Sequence, residues 1–386
     1  MQLPERLSAK MAEILKGTKL PPVVARAPGR VEVLGNHTDY NGGDVLAATI
    51  DRYIWTAGIP SSEVELYSLD NDDIIRFKPH SVETSLQLSW KRYARGIYWA
   101  FERRKHNVSG VTGVIHGNIP QGAGLGSSAA FEVALANLVL SISNIKLNPK
   151  AIAMLAFEAE RIYCGVACGV MDQFASQLGK PNSLLAIRCS NLVTGDIPWD
   201  PRLRLVIVDS GIKRAAVDVL NERKLECQQA LQILLEEGWV LTDLSELQPE
   251  KLDAISDLLG EPLSRRVMHV VLENERVKSG VRALREGRAE EFGALMYESH
   301  ASSRDLYEVS HPMLDALVDF AKDKNGVLGS RLTGAGFGGA TLTVVKESAC
   351  TAFIQEIRKD YESETNAMPE IIETTIPGGV VVTHSW

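Results

Sequence analysis

The chain has 386 residues, 45% of them hydrophobic and 23% charged, with a formal net charge of −8. That length exceeds one ordinary core and predicts two domains, with the composition of a soluble globular protein. The absence of a Lys/Arg stripe argues against nucleic acid as a partner, and no run nears the ~20 apolar residues that cross a membrane.

Residues 5–16 have the spacing of a short amphipathic helix, and no apolar signal core stands before Leu20. The stretch 23–55 reads as strand and turn, with Asn41-Gly42-Gly43 as the turn signal. Polar and apolar residues alternate over 63–77, which predicts a hairpin; a helix over 88–104 and a strand over 113–116 follow. An apolar run without Gly or Pro predicts a buried helix over 131–142, and a second helix is expected over 149–162. Strands are expected at 184–187 and 203–209, the second continuous and apolar, as a buried strand is. Residues 215–237 form a long charged helix in this reading, and helical segments continue to 325. Strands and glycines return at 326–345, and a last strand pair is expected to end at 380–383. This order predicts an α+β protein divided near residue 200, into 1–200 and 201–386.

Residues Pro120 to Ala130 carry the most chemistry. Gly122, Gly124 and Gly126 alternate with small or apolar residues, Leu125 among them, and Ser127, Ser128 and Ala129 open the buried helix. A Gly-rich turn entering a helix leaves backbone N–H groups free, with the positive end of the helix dipole behind them. That is an anion cradle, most often for phosphate, although a plain flexible turn before a core helix has the same composition. A Walker-type loop needs a Lys that is missing here. A second cluster, Gly334-Ala335-Gly336-Phe337-Gly338-Gly339, matches the dinucleotide fingerprint by letter. The following Ala340 to Val345 alternates like a strand instead of opening a helix, so the nicotinamide reading is rejected. One glycine segment would then cradle nucleotide phosphates and the other close over the transferred group.

Phosphoryl transfer needs a metal, a positioned acceptor and stabilisation of the moving charge. Ser127 or Ser128 offers a hydroxyl to Mg²⁺, and Glu160, in an apolar helix, offers a carboxylate; an exposed helical Glu is the plainer alternative. Asp172 lies among apolar residues and Arg30 opens a strand, so the two are candidates for the base and the cation of a transfer site, or for structural ion-pair partners. His37 and Asp39 sit in a dense polar loop that suits a polyhydroxylated ligand, since a carboxylate accepts from adjacent hydroxyls; an Asn/Asp-rich turn would look similar. Five scattered cysteines, Cys164, Cys168, Cys189, Cys227 and Cys350, read as free thiols of a cytoplasmic protein.

The run Gly124-Leu125-Gly126-Ser127-Ser128-Ala129 resembles the phosphate motif of the GHMP kinases, and Thr333 to Gly339 resembles their C-terminal glycine motif. Within that superfamily the chain is similar to galactokinases: Gly29-Arg30-Val31 through Gly35-Asn36-His37-Thr38-Asp39-Tyr40-Asn41 resembles their sugar signature, and Cys168-Gly169-Val170-Met171-Asp172-Gln173-Phe174 their base-bearing segment. The resemblance implies a two-lobed GHMP kinase fold, with mixed sheets and packed helices in each lobe and ATP and sugar between them. It implies transfer of phosphate from ATP to the anomeric hydroxyl of a monosaccharide, with galactose the first expectation. Asp172 would be the base or orienting carboxylate, Arg30 its partner, Ser128 and Glu160 the Mg²⁺ ligands, and His37, Asp39 and Gly169 part of the sugar site. No nucleic acid, membrane or obligate protein partner is implied.

Two departures touch the sugar. Galactokinases usually carry Glu at the position of Asn36, where it helps bind the C6 hydroxyl, and Tyr at the position of Leu220. A neutral Asn36 would hold a hydroxyl or admit a C6 carboxylate that Glu repels, so galacturonate, glucuronate or arabinose is the alternative acceptor. A non-catalytic sugar and ATP sensor predicts a damaged loop or a lost base. Here Ser127, Ser128, Glu160, Asp172 and Arg30 are all in place, and the His37/Asp39 loop has no purpose in a kinase for mevalonate or homoserine.

Overall fold

A computed structural model describes residues 3–16, 20–80, 87–120, 122–212 and 217–384, with side chains from residue 221 onward in the last span. A first sheet is built from β1 (Val23–Leu34), β2 (Asp44–Ser61), β3 (Val64–Ser68), β4 (Asp73–Phe77), β5 (Gly110–Gly117), β6 (Ser183–Arg188) and β7 (Val193–Pro198). A second sheet holds β8 (Leu203–Asp209), β9 (Val327–Thr333), β10 (Ala340–Lys346) and β11 (Ile371–Thr374), in the order β11-β8-β10-β9 and antiparallel throughout. β12 (Val381–Thr383) returns to the first sheet, whose order is β12-β1-β2-β5-β3-β4, with β6 on β2 and β7 on β6. The long β2 makes this possible: residues 44–47 pair with β6, and residues 54–61 pair with β5.

The helices are α1 (Glu5–Ile14), α2 (Trp90–Arg103), α3 (Ser127–Ile142), α4 (Pro149–Glu158), α5 (Met171–Leu178), α6 (Val217–Glu236), α7 (Leu252–Leu259), α8 (Leu263–Arg285), α9 (Ala289–Asp305), α10 (Pro312–Lys322) and α11 (Glu347–Thr365). α3 is buried on every face from Ala129 to Leu140 and apolar there except for Glu132 and Asn137, as a helix at the centre of a core is. It packs on β1 and β2, with α2, α4 and α5 around it. The main core runs from Val31, Leu46, Leu135 and Leu155 to Leu205, Ile207, Leu342 and Val344, so both sheets share one apolar interior.

Several elements differ from the sequence reading. The helix expected over 149–162 is regular only to Glu158 and then widens into a π-turn, Ala159–Tyr163, which holds Glu160. The strands near the C-terminus are not partners of each other: β11 pairs with β8 and β12 with β1. α5 and α11 carry no counterpart in the reading. α5 is only eight residues long, and α11 buries Cys350, Phe353, Ile357 and Tyr361 on one face of an otherwise charged helix.

Candidate active site

The glycine loop has the geometry its composition implies. Gly122, Gly124 and Gly126 have φ of +82°, +79° and +74°, which side-chain-bearing residues rarely adopt. Gly126 stands at the N-terminus of α3, where Ser127 and Ser128 face out of the core. Leu125 and Ala129 are buried, and the Leu125 carbonyl accepts the backbone N–H of Arg30 at 2.9 Å.

β1 and α5 bring Arg30 and Asp172 together from 142 residues apart. Arg30 Nε donates to Asp172 Oδ1 at 2.6 Å and Nη2 donates to Oδ2, the two-point geometry that fixes a carboxylate in plane. Arg30 Nη1 donates to the Gly124 carbonyl, which ties this pair to the loop. The Arg30 side chain is 8% exposed and that of Asp172 20%, and both line a cavity of about 200 Å³. Glu32, His37, Asp39, Glu160, Gly169 and Gly334 share that lining.

A second cavity, about 620 Å³, borders the loop. Trp90, Tyr93, Ile54 and Phe131 give it apolar and aromatic walls, with Ser68, Asp70 and Asn71 at polar positions and Gly122, Ser127 and Ser128 at its edge. Ser128 Oγ donates to Glu160 Oε1 at 2.9 Å, so the two cavities meet at that hydrogen bond. Gln173 Nε2 donates to Glu160 Oε2 at 2.5 Å and to Glu132 Oε2 at 3.0 Å. Burial, and then the charge of Asp172, pushes the Glu160 carboxyl up to about 7. Glu132 is held well above the usual range by burial and by Glu160.

The polar loop after β1 sets the floor. Asp39 is pushed up to about 6, by burial and then by Asp172. A Cβ on Gly169 would stand 1.8 Å from Asp39 Oδ2, so the absence of a side chain there lets the carboxylate stay in place. His37 stacks on Tyr307 at 4.9 Å between ring centroids, and its Nδ1 is 2.9 Å from the Tyr40 hydroxyl. Burial, followed by the neighbouring His269, lowers the His37 pKa well below its usual value and keeps the ring neutral. Lys224 lies over the Tyr40 ring at 4.4 Å.

Two sequence-predicted groups sit differently from expectation. Asn36 does not line the cavity: it is fully buried, its Nδ2 donates to Glu32 Oε1 at 2.9 Å and to the Gly334 carbonyl at 3.0 Å, and its Oδ1 accepts from Ser303 Oγ at 2.8 Å. Gly334 reaches the cavity, but Gly336 and Gly338 pack on backbone, where a Cβ would meet the carbonyls of Val309 at 2.0 Å and Ile212 at 2.6 Å. The Leu220 side chain lies outside the described residues, although its backbone belongs to α6. Sequence reasoning missed the aromatic cavity around Trp90 and Tyr93, and it missed Glu32. The signal for Glu32 was available, because residues 30 and 32 of one strand project to the same side.

Residues 92–180 match the GHMP kinases N terminal domain, residues 281–363 match GHMP kinases C terminal, and residues 13–60 match the galactokinase galactose-binding signature. The chain is 38% identical over 363 residues to a galactokinase of Roseiflexus sp. (strain RS-1), covering 93% of each. It is 36% identical over 364 residues to a galactokinase of Bacillus subtilis (strain 168), covering 92% of each. The structure of Lactococcus lactis galactokinase complexed with galactose superposes with a TM-score of 0.93 at 32% identity, covering 97% of this chain and 98% of that one. Methanococcus jannaschii mevalonate kinase shares the fold, with a TM-score of 0.64 at 18% identity, covering 92% of this chain and 98% of that one. With arginine and carboxylate clamped in the smaller cavity and tied to the glycine loop, on the fold and sequence of these relatives, the chain belongs to the galactokinase family of the GHMP kinases.

Proposed function

We propose that this chain transfers phosphate from ATP to the anomeric hydroxyl of galactose, giving galactose 1-phosphate and ADP. The observation that carries the reading is the two-point Arg30–Asp172 pair, which faces a cavity of sugar size and is tied to the glycine loop. ATP would place its base against Trp90 and Tyr93 and run its phosphates past the N-terminus of α3, where free backbone N–H groups and the helix dipole favour anions.

The sugar hydroxyl would donate to Asp172. As its oxygen bonds to the γ-phosphorus and ADP departs, the proton passes to Asp172. Arg30 holds that carboxylate in plane and places positive charge beside the transferring group. Asp39 would accept two adjacent ring hydroxyls, and neutral His37 would form one wall.

Mg²⁺ suits the oxygen donors at the junction of the cavities. Ser128 and Glu160 would hold it, a small protein ligand set that leaves room for phosphate and water, and bound there it would neutralise phosphate charge. Among the described residues no helix is long and apolar enough to cross a membrane, and work in the cytoplasm, where ATP is held, goes with this reading. A division near residue 200, with β12 returning to the first sheet, is the domain arrangement we favour.

An ATP-consumption screen over galactose, talose, arabinose, galacturonate, glucuronate and N-acetylgalactosamine tests the reading. Galactose should give the highest kcat/KM, with the phosphate on the anomeric oxygen. Preference for arabinose or a uronate over galactose would refute it.

A further inference from the structure

Asn36 stands where galactokinases usually carry a carboxylate, but the cavity is not left without one. Glu32 lines it, two residues along β1 from Arg30. Successive odd or even residues of a strand share a face, so the two side chains start about 6.6 Å apart along one wall. The register between β1 and β2 shifts at Pro28/Arg30 and again at Glu32/Leu34, but it is regular from Arg30 opposite Thr49 to Glu32 opposite Ala47, and both residues line the same cavity.

Glu32 is locked from every side but one. Its backbone N–H donates to Thr333 Oγ1 at 3.0 Å, and its carbonyl accepts from the same hydroxyl at 3.0 Å. Its Oε1 accepts from Asn36 Nδ2 at 2.9 Å and lies 3.1 Å from Arg331 Nη1. Arg331 is fully buried, and Glu32 is its one ion-pair partner among the described residues. Asn36 is in turn held by Ser303 and by the Gly334 carbonyl. Glu32 Oε2 accepts no hydrogen bond among the described residues. The carboxylate is thus built, oriented and charge-paired through one oxygen, with the other left for a ligand.

We infer that Glu32 is a specificity-determining residue, whose Oε2 accepts the hydroxyl on the sugar carbon furthest from the acceptor oxygen, while Asn36 positions it from behind. The inference rests on the sugar 1-kinase reading, in which Asp172 and Arg30 mark the anomeric end and the wall beyond them faces the exocyclic C6. Burial pushes the Glu32 carboxyl up to about 7 against the pull of Arg331; in its ionised form it only accepts hydrogen bonds, so it takes a C6 hydroxyl, repels a C6 carboxylate, and is left unpaired by a sugar lacking oxygen at C6. The neutral side chain at position 36 therefore does not open the site to uronates.

The test compares galactose, 6-deoxygalactose and galacturonate as acceptors for the wild-type chain, Glu32→Gln and Glu32→Asp. Glu32→Asp keeps the charge opposite Arg331 and withdraws the oxygen by one methylene, so it decides the matter if Glu32→Gln fails to fold. The wild type should prefer galactose over 6-deoxygalactose by ~10- to 100-fold in kcat/KM, the range for a hydrogen bond to a charged group. Both variants should bring that ratio to within about 3-fold, mainly through KM for galactose, and Glu32→Gln should gain activity on galacturonate. A ratio unchanged in the variants overturns the role of Glu32 while leaving the kinase reading intact. A wild type that phosphorylates none of the three overturns both.

Discussion

At one end of the cavity proposed for the sugar, Arg30 grips Asp172 through two nitrogens and the glycine loop through a third. At the other end, Glu32 is gripped through one oxygen by Asn36 and Arg331. The first pair joins segments 142 residues apart, and its members sit in local motifs whose residue types announce the chemistry. The second joins residues four apart on one strand and its following turn, and there a carboxylate and an amide can share one task in either order. The reaction end is constrained by its atoms, whereas the reading end is constrained only by the sum of its groups.

The largest expected effect breaks the reaction end alone. Asp172→Asn keeps the shape and removes the proton acceptor, so kcat should fall by ~10²- to 10⁴-fold with KM for galactose little changed. Steady-state kinetics check this, and full turnover in the variant would remove Asp172 from its role. Gly169→Ala attacks the floor between the ends. Its methyl group would displace Asp39, and KM for galactose should rise on the order of 10²-fold while KM for ATP holds.

Acidity sharpens the comparison further. The Glu160 carboxyl is raised to about 7 in the folded chain from an ordinary 4.5, so the empty native state binds an extra proton between those values. Its ionised form therefore costs native stability above pH 7, and that cost fades as pH falls toward 4.5. Glu160→Gln should stabilise the empty protein at pH 8 by on the order of 3 kcal/mol, with the gain vanishing near pH 4.5. Thermal denaturation across that range measures it, and a gain independent of pH would contradict the assignment. The smallest effect is Ser303→Ala, which removes one hydrogen bond behind Asn36 and should cost about 1 kcal/mol in stability, read by denaturant unfolding.

Much of this was legible in the sequence. The loop glycines, the helix they open, and the residues Arg30, Asp172, Ser128 and Glu160 stand out because positive φ, anion binding and buried charge restrict residue type. Asn36 was legible as a departure but not as a change of position, because a motif read letter by letter does not say which side chain faces inward. Alternation along β1 supplies that direction, and it points to Glu32. The aromatic cavity around Trp90 and Tyr93 is not legible in the sequence, since Trp and Tyr at helical spacing are ordinary core residues. The destination of β12 was hidden for another reason: three exposed or half-exposed residues carry too little pattern to choose between two sheets.

The most direct measurement sets the two ends against each other. Release of galactose 1-phosphate and its 6-deoxy counterpart is followed for Asp172→Asn and Glu32→Asp under identical conditions. Asp172→Asn should lose turnover on both sugars alike and keep the wild-type ratio between them. Glu32→Asp should keep most of its kcat and lose the ratio. If both substitutions move turnover and ratio together, the division of labour along this cavity is wrong.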